Sequence, residues 1–407
     1  MSEANLYETA KPIATANATY PMVPLSEVID HRKEFIAIDD LESYKRCRVQ
    51  LHAQGIVLRD VIKGAEIKTK KQQVCRSGEF LVAEIDAKIG GFGIVPDDLD
   101  GAVVSSHYFL FQVKEGRLDK RFLDFFIRTP AFRDQVTAQG STNYAAIRPY
   151  EVLSYQIPLP PIAEQRRIVA RVEELAGKVE EARGLRSQTI KEVETLWQSN
   201  LVSVFSKIAI DCQSETFGKI CDVVRGGSPR PAGNPLYYGG SIPFLKVGDL
   251  TRDETKYVSN YTETIKEAGL YKSRYIEPNT LMLTNSGATL GVPKICPFGT
   301  CFNDGIQAFL NIPNDIFPEY LYYFFLSKTQ WFREWAARGQ GQPNLNTEMV
   351  KKMEFPYPPL PEQRRIVAYL DDLQAKIDAL KRLQAETGKE LNALLPSILD
   401  KAFKGEL

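Results

Sequence analysis

Glu164-Gln165-Arg166-Arg167-Ile168-Val169-Ala170 recurs unchanged as Glu362-Gln363-Arg364-Arg365-Ile366-Val367-Ala368. The offset is 198 residues in a chain of 407, so two copies of the unit nearly fill the sequence. The flanks repeat at the same offset. Pro158, Pro160 and Pro161 precede the first copy, and Pro356, Pro358 and Pro359 precede the second. Downstream, Val172, Leu175, Val179, Val193 and Leu196 map onto Leu370, Leu373, Ile377, Leu391 and Leu394. A chain with two similar halves suits a target that also has two halves.

Each repeat opens a helix. Pro161 and Pro359 suit helix entry but not helix interior. Glu164 and Glu362 then fall in the first turn, where the helix dipole favours a carboxylate. Ile168, Val172, Leu175, Val179 and Ala182 step by four and three, as do Ile366, Leu370, Leu373, Ile377 and Leu380. That is an a/d seam. It weakens near Arg186 and Gln384 and returns at Val193/Leu196 and Leu391/Leu394. Each helix is expected to run for about 40 residues, roughly 60 Å. A narrow seam needs a partner, and the other helix is the nearest one. An approximate two-fold relation between the halves would pair the helices antiparallel. The alternative is that each helix packs on its own globular part.

Between the helices lie two globular segments of one plan. In the first, Gly55–Leu58, Phe80–Ile85 and Tyr108–Val113 read as strands, and Arg121 to Val136 as a helix striped by Phe122, Phe125, Phe126 and Phe132. In the second, Thr280–Thr284 matches Phe80–Glu84, and Tyr320, Leu321, Tyr323 and Phe324 match Phe122, Leu123, Phe125 and Phe126. Core packing is the expected role of these aromatics. The boundaries read as an arm over 1–19, a domain over 20–159, a helix over 160–212, a domain over 213–357 and a helix over 358–407.

Composition narrows the function. Hydrophobic content of 43% and charged content of 25% are those of a globular protein. No apolar run reaches the ~18–20 residues of a membrane span, and no secretory signal is visible. Six cysteines without a CxxC pair read as free thiols in a reducing, cytoplasmic setting. Three histidines among scattered cysteines give no metal-ligand spacing, so no metal is expected. A formal net charge of zero argues against a simple nucleic-acid coat, though acidic helices can balance a local basic face.

Three patterns together resemble the specificity subunit of type I restriction-modification systems. One is the repeated joint at Pro158–Val169 and Pro356–Val367. The next is Gly226-Gly227-Ser228-Pro229 followed by Tyr237-Tyr238-Gly239-Gly240-Ser241-Ile242-Pro243-Phe244 and Asp249-Leu250. The third is Thr284–Gly291, then Gln307, then Gly341-Gln342-Pro343-Asn344-Leu345. The first globular part lacks the Gly-Gly-Ser-Pro and Tyr-Tyr-Gly-Gly patterns. The resemblance implies a fold and a job. Two α/β (α+β) target-recognition domains with mixed sheets would each read one half of a bipartite double-stranded DNA site. Two long helices, forming an antiparallel coiled coil with pseudo-two-fold symmetry, would act as conserved spacers. The chain itself would hold no cofactor and catalyse nothing. Two DNA methyltransferase subunits would modify adenine with S-adenosylmethionine, and restriction/motor subunits would use ATP and Mg.

Reading DNA requires paired donors and acceptors for base edges, and Lys, Arg, Ser, Thr or backbone N–H groups for phosphates. The second part gathers such residues in turn-rich stretches: Arg225, Ser228, Arg230 and Lys246; Asn285, Ser286 and Thr289; Arg338, Gln340, Gln342 and Asn344. In the first part the candidates are Lys63, Lys68, Lys70, Lys71 and Arg76, then Ser105, Ser106 and His107, then Gln139, Ser141, Thr142, Asn143 and Tyr144. The last group precedes its proline joint just as Gly341–Asn344 precedes the other. An ordinary solvated loop is the competing reading for each residue. Glu164, Gln165, Arg166 and Arg167, with Glu362, Gln363, Arg364 and Arg365, read as an interface for the methyltransferase subunits. A solvated helix face and a phosphate contact remain open for them.

Catalytic patterns fail on inspection. Asn234-Pro235-Leu236-Tyr237 imitates an amino-methyltransferase motif without its glycine-rich cofactor turn. Asp86-Ala87-Lys88 lacks the upstream acidic partner of a nuclease. Gly90-Gly91-Phe92-Gly93 lacks the Gly-Lys-Ser/Thr of a P-loop. The competing functions are a self-contained enzyme, a duplicated protein-binding adaptor, and a recognition subunit of another antiphage system.

Overall fold

The computed structural model describes residues 20–138, 146–287, 289–337 and 345–407. The chain divides into two compact units, one of residues 1–185 with 386–407 and one of residues 186–385. Each unit therefore takes its globular part from one repeat and helix halves from both.

The first unit is built on a four-stranded antiparallel sheet in the order Ile29–Arg32, Tyr108–Val113, Phe80–Ala83, Phe92–Ile94. A second sheet runs Phe35–Ala37, Lys71–Val74, Val103–Val104, Ser43–Val49, Ile56–Lys63. It is mixed, because Ser43–Val49 pairs parallel with Val103–Val104. The second unit repeats this plan. Its antiparallel sheet is Asp222–Arg225, Ile306–Leu310, Thr280–Thr284, Pro293–Cys296. Its mixed sheet is Glu263–Ile265, Tyr238–Leu245, Thr300–Phe302, Tyr275–Ile276, with the parallel pairing again in the middle. The first unit adds one edge strand, Phe35–Ala37. In both units a short ribbon ties the entry of the domain to the proline joint: Met22–Pro24 with Gln156–Pro158, and Ser214–Thr216 with Glu354–Pro356.

Alternation along the strands separates two cores, as the two-residue period of a strand requires. Phe80, Val82 and Phe111 face the helices, while Leu81, Ala83 and Leu110 face the mixed sheet. Leu281, Leu283 and Phe309 face the helices in the second unit, and Met282 and Ala308 face its mixed sheet. The aromatic stripes are core, with Phe122, Phe126, Tyr320 and Tyr323 among the largest fully buried side chains. The expected helix from Arg121 to Val136 is two helices, Lys120–Phe126 and Pro130–Ala138. Asp119 caps the first by accepting from the amides of Arg121 (2.9 Å) and Phe122 (3.2 Å). Pro130 breaks the run, because it disfavours helical backbone before it while suiting the first turn of the next helix.

The two long helices span Ile162–Asp211 and Leu360–Lys404, 50 and 45 residues, longer than the sequence reading. Their halves run antiparallel within each unit. In the first unit Arg167 donates to the Leu407 backbone oxygen (2.7 Å) and Arg183 to Asn392 (2.9 Å). In the second, Lys381 pairs with Glu194 (3.2 Å) and Asn200 donates to Tyr369 (3.2 Å). One number rises as the other falls in both cases. The seam is not a two-helix affair. Ile168, Val169 and Val172 share a core with Leu399, Ala402 and the Phe122–Phe126 helix. Ile366, Val367 and Leu370 share one with Trp197, Leu201, Phe205 and the Tyr320–Phe325 segment. The expected return of the seam at Leu196 and Leu394 is corrected: both are exposed, at 68% and 45%, and the buried line passes through Trp197, Leu201 and Phe205 instead.

Candidate nucleic-acid interface

In the second unit three strand ends meet at one end of the antiparallel sheet. Asp222–Arg225 finishes there, Thr280–Thr284 leads out into Asn285, and Asn303-Asp304-Gly305 leads into Ile306–Leu310. Asp304 is the hub. Its carbonyl accepts from Arg225 Nε (2.6 Å) and Asn285 Nδ2 (3.1 Å). Its carboxylate accepts from Ser228 Oγ (2.9 Å) and lies 4.0 Å from Arg225 Nη2. The Gly305 carbonyl accepts from the Asn285 amide (2.9 Å). A Cβ on Gly305 would lie 2.6 Å from Val247 Cγ2 and 3.4 Å from Ser286 Oγ, so the Lys246–Val247 turn and Ser286 close on the same point.

Arg225, Ser228, Asn285 and Ser286, chosen from sequence, are thus brought together around Asp304, while Lys246 adjoins the corner only through its neighbour Val247. Their roles differ. Arg225 spends Nε on a carbonyl, and its guanidinium remains half-exposed. Asn285 is fully buried and holds the hub rather than facing out. Lys246 is paired with Glu263, and Arg230 lies in an exposed turn. Thr289 accepts from Thr284 Oγ1 through its carbonyl, closing the turn that carries Asn285 and Ser286. Behind the rim, Asn285 Oδ1, Asn303 Oδ1 and Gln307 Oε1 are buried acceptors without a hydrogen bond among the described residues. Gln307 Nε2 donates to the Leu345 carbonyl, and Leu345 donates its amide to Asn285 (2.8 Å). Arg338, Gln340, Gln342 and Asn344 lie outside the described residues.

The first unit makes the matching corner with other side chains. Glu84 follows its strand as Asn285 does, and its carbonyl accepts from the Ile147 amide (3.0 Å). Its carboxylate bridges His107 Nδ1 (2.8 Å) and Arg148 Nη1 (2.8 Å). Ser105, Ser106 and His107 stand where Asn303, Asp304 and Gly305 stand in the other unit. Buried Gln73 fixes their turn by donating to the carbonyls of Ser105 (3.2 Å) and Tyr108 (2.7 Å). Lys70 is tied to Asp40 and to the Gly64 carbonyl, and Lys71 lies over the Phe35 ring at 4.8 Å. Lys68 is exposed beside them. Gln139, Ser141, Thr142, Asn143 and Tyr144 lie outside the described residues. Glu84, Arg148 and Asp304 were missed from sequence. The signal for Asp304 was available: it sits at the repeat offset from Ser106.

At the joints, the interface reading of Gln165 and Gln363 is corrected. Both are fully buried. Gln165 accepts from the Asp119 amide (2.8 Å) and donates to the carbonyls of Arg117 (2.8 Å) and Pro160 (2.9 Å). Gln363 accepts from the Phe317 amide (2.8 Å) and donates to Asp315 (2.9 Å) and Pro358 (2.8 Å). The oxygen and both N–H groups of each amide are engaged in bracing the joint against its domain. Periodicity carried the warning: Gln165 is three residues before Ile168 and seven before Val172, on the buried face. Arg166, Arg167, Arg364 and Arg365 do face outward. Arg167 and Arg365 pair with Glu164 and Glu362, and Arg364 lies over Phe317 at 4.5 Å. The Arg167 and Tyr20 hydrogen bonds pull the Glu164 carboxyl down to about 2.

Among the described residues, no three His, Cys, Asp or Glu side chains are grouped to hold a metal ion. No helix among them is long and apolar enough to cross a membrane.

Comparison with known proteins follows the same line. A family profile described as a type I restriction modification DNA specificity domain matches residues 22–192 and 211–387. The chain is 32% identical over 195 residues to the MjaIX specificity subunit of Methanocaldococcus jannaschii, covering 46% of this chain and 42% of that one. It is 23% identical over 313 residues to the StySPI specificity subunit of Salmonella potsdam, covering 71% and 66%. The matches thus span less than two thirds of these curated relatives. Among solved structures, an HsdS subunit from Thermoanaerobacter tengcongensis is similar at a TM-score of 0.62 and 28% identity, over 95% of this chain and 97% of that one. A chain from a structural study of type I R-M complex assembly and conformational transition is similar at 0.72 and 28%, over 95% and 98%. With the family profile matching both repeats and most of the chain, this protein belongs to the type I restriction-modification DNA specificity family.

Proposed function

We propose that the chain is a non-catalytic specificity subunit that binds a bipartite DNA sequence and directs partner subunits to it. Each unit reads one half-site. The observation that carries this reading is the convergence of Arg225, Ser228 and Ser286 on the Asp304–Gly305 corner, in a domain of a DNA-specificity family. With Nε committed to a carbonyl, Arg225 keeps its two terminal nitrogens for an end-on, bidentate contact, the geometry that suits the O6/N7 edge of guanine. In the first unit Arg148 and His107, aligned by Glu84, take the equivalent place. The recognition domains are residues 20–159 and 213–357, and the remaining helical segments are spacers. Modification subunits dock near Arg166–Arg167 and Arg364–Arg365 and supply S-adenosylmethionine chemistry, and restriction/motor subunits supply ATP hydrolysis. The work is done in the cytoplasm, where the DNA is. Mapping methylated adenine in the host genome with and without the gene tests this. Loss of a single bipartite motif on deletion supports it. An unchanged methylome, with an active partner methyltransferase present, contradicts it.

A further inference from the structure

One exposed cluster beside the Asp304 corner is not explained by folding. Tyr271 is 74% exposed at the end of the short helical turn Glu267–Lys272. Its hydroxyl is 3.4 Å from that of Tyr237, and the two rings meet edge-on at 6.4 Å. Lys272 Nζ sits over both rings, 4.3 Å from the Tyr237 centroid and 5.5 Å from the Tyr271 centroid. It also donates to the Arg230 carbonyl (3.1 Å).

The cluster is joined to the corner by the Gly226–Pro231 loop. The Gly227 amide donates to the Phe302 carbonyl (3.0 Å), and Ser228 holds Asp304. On its other side the loop touches Lys272, since a Cβ on Gly227 would lie 2.7 Å from the Lys272 carbonyl oxygen. One short loop therefore spans from the Arg225 corner to the Tyr237–Tyr271–Lys272 cluster.

We propose that Lys272, Tyr237 and Tyr271 form a seat for a DNA backbone phosphate flanking the bases read from the Arg225 corner. The proposal rests on the reading of the second unit as a DNA-recognition domain. The chemistry is that of an anion site. Two rings and one carbonyl hold the ammonium in place without neutralising it, since none carries a formal charge. Of two touching hydroxyls only one can donate to the other, so one O–H remains for an outside acceptor. An ammonium and a free O–H, fixed side by side and open to solvent, match the two unesterified oxygens of a phosphodiester. Such contacts set register and carry no sequence information.

The test uses the full chain assembled with its modification subunit, and duplexes with and without the mapped site, over a range of salt concentrations. Lys272→Ala is expected to weaken both duplexes alike and to lower the slope of log affinity against log salt by about one. Lys272→Arg is expected to keep the slope, and Tyr237→Phe combined with Tyr271→Phe to weaken both duplexes without changing it. The methylated motif should be unchanged in all three. If Lys272→Ala leaves affinity and slope intact while Arg225→Ala weakens the specific duplex, the phosphate seat is wrong and the recognition reading stands. If Lys272→Ala alters the motif, the residue reads bases and the seat is also wrong. If neither Lys272→Ala nor Arg225→Ala has any effect, this face does not meet DNA and both readings fall.

Discussion

Phe403 meets Phe126 edge-on, with ring centroids 5.1 Å apart, and Phe205 meets Phe324 in the same way at 5.6 Å. The four residues are two pairs at the repeat offset. In each unit the last turns of one repeat's helix complete the aromatic core of the other repeat's domain. Phe403 also contacts Phe122 (5.0 Å), and Phe205 contacts Tyr320 (5.3 Å).

Removing this contact should loosen one unit selectively. Phe403 is half-buried, so Phe403→Ala is expected to destabilise the first unit by roughly 2–3 kcal/mol, below the range for a fully buried ring. Hydrogen exchange should show faster opening of Phe80–Ala83 and Tyr108–Val113, with Thr280–Thr284 unaffected. Equal loosening of both sheets would contradict the crossed packing.

The joint separates structural from interface residues. Gln363→Leu strands the Phe317 amide and the Asp315 and Pro358 carbonyls, of which the Pro358 carbonyl is an unmet buried acceptor worth ~1–3 kcal/mol. It should lower the melting temperature of the isolated chain. Arg364→Ala combined with Arg166→Ala should leave melting nearly unchanged and weaken capture of the modification subunit. A Gln363→Leu chain as stable as the parent would remove the bracing role.

An ion pair on a buried lysine should make the second unit acid-sensitive. Lys294, 3% exposed, donates to the Asp253 carboxylate (2.8 Å) and to the Asp253 carbonyl (3.0 Å). Lys294, with hydroxyls of Thr255 and Ser259, holds the Asp253 carboxyl well below its ordinary value. A depressed carboxyl contributes stability that is fully present above its unfolded pKa, near 4, and is lost as pH falls through the lower folded value. Asp253→Asn leaves the ammonium buried without its counter-charge and should cost on the order of 3 kcal/mol at neutral pH. It should also flatten the acid limb of the stability curve below about pH 4. An unchanged acid limb would show that the pair contributes nothing to it.

Arg225 should act on specificity. Arg225→Ala is expected to relax one base pair in one half of the methylated motif, at ~1–3 kcal/mol of lost discrimination, with the other half kept. Genome-wide adenine methylation mapping reads this directly. An identical motif would mean that Arg225 is no base reader.

The duplication, the proline joints and the opening of each helix were legible because local rules govern them. Pro161, Glu164 and the Ile168–Val179 spacing need only helix geometry. The far ends of the helices were not. A straight helix drifts by ~20° per heptad against a seven-residue repeat, so over the four heptads from Ile168 the buried line leaves Leu196. The partner there also changes, from a helix to an aromatic domain core. The Asp304 corner shows the same limit. Arg225 and Ser228 stood out as polar residues in a Gly/Pro-rich loop. Asn285 looked like a base reader for the same reason, yet strand pairing turns it inward to hold Asp304, which only the fold brings to Arg225.

The central claim is that each unit reads its own half-site. The most direct test exchanges residues 213–357 for the matching segment of a relative with a known motif, then maps methylated adenine in the host. The account predicts a motif in which one half is replaced and the other is kept. A motif changed in both halves, or in neither while methylation continues, would contradict it.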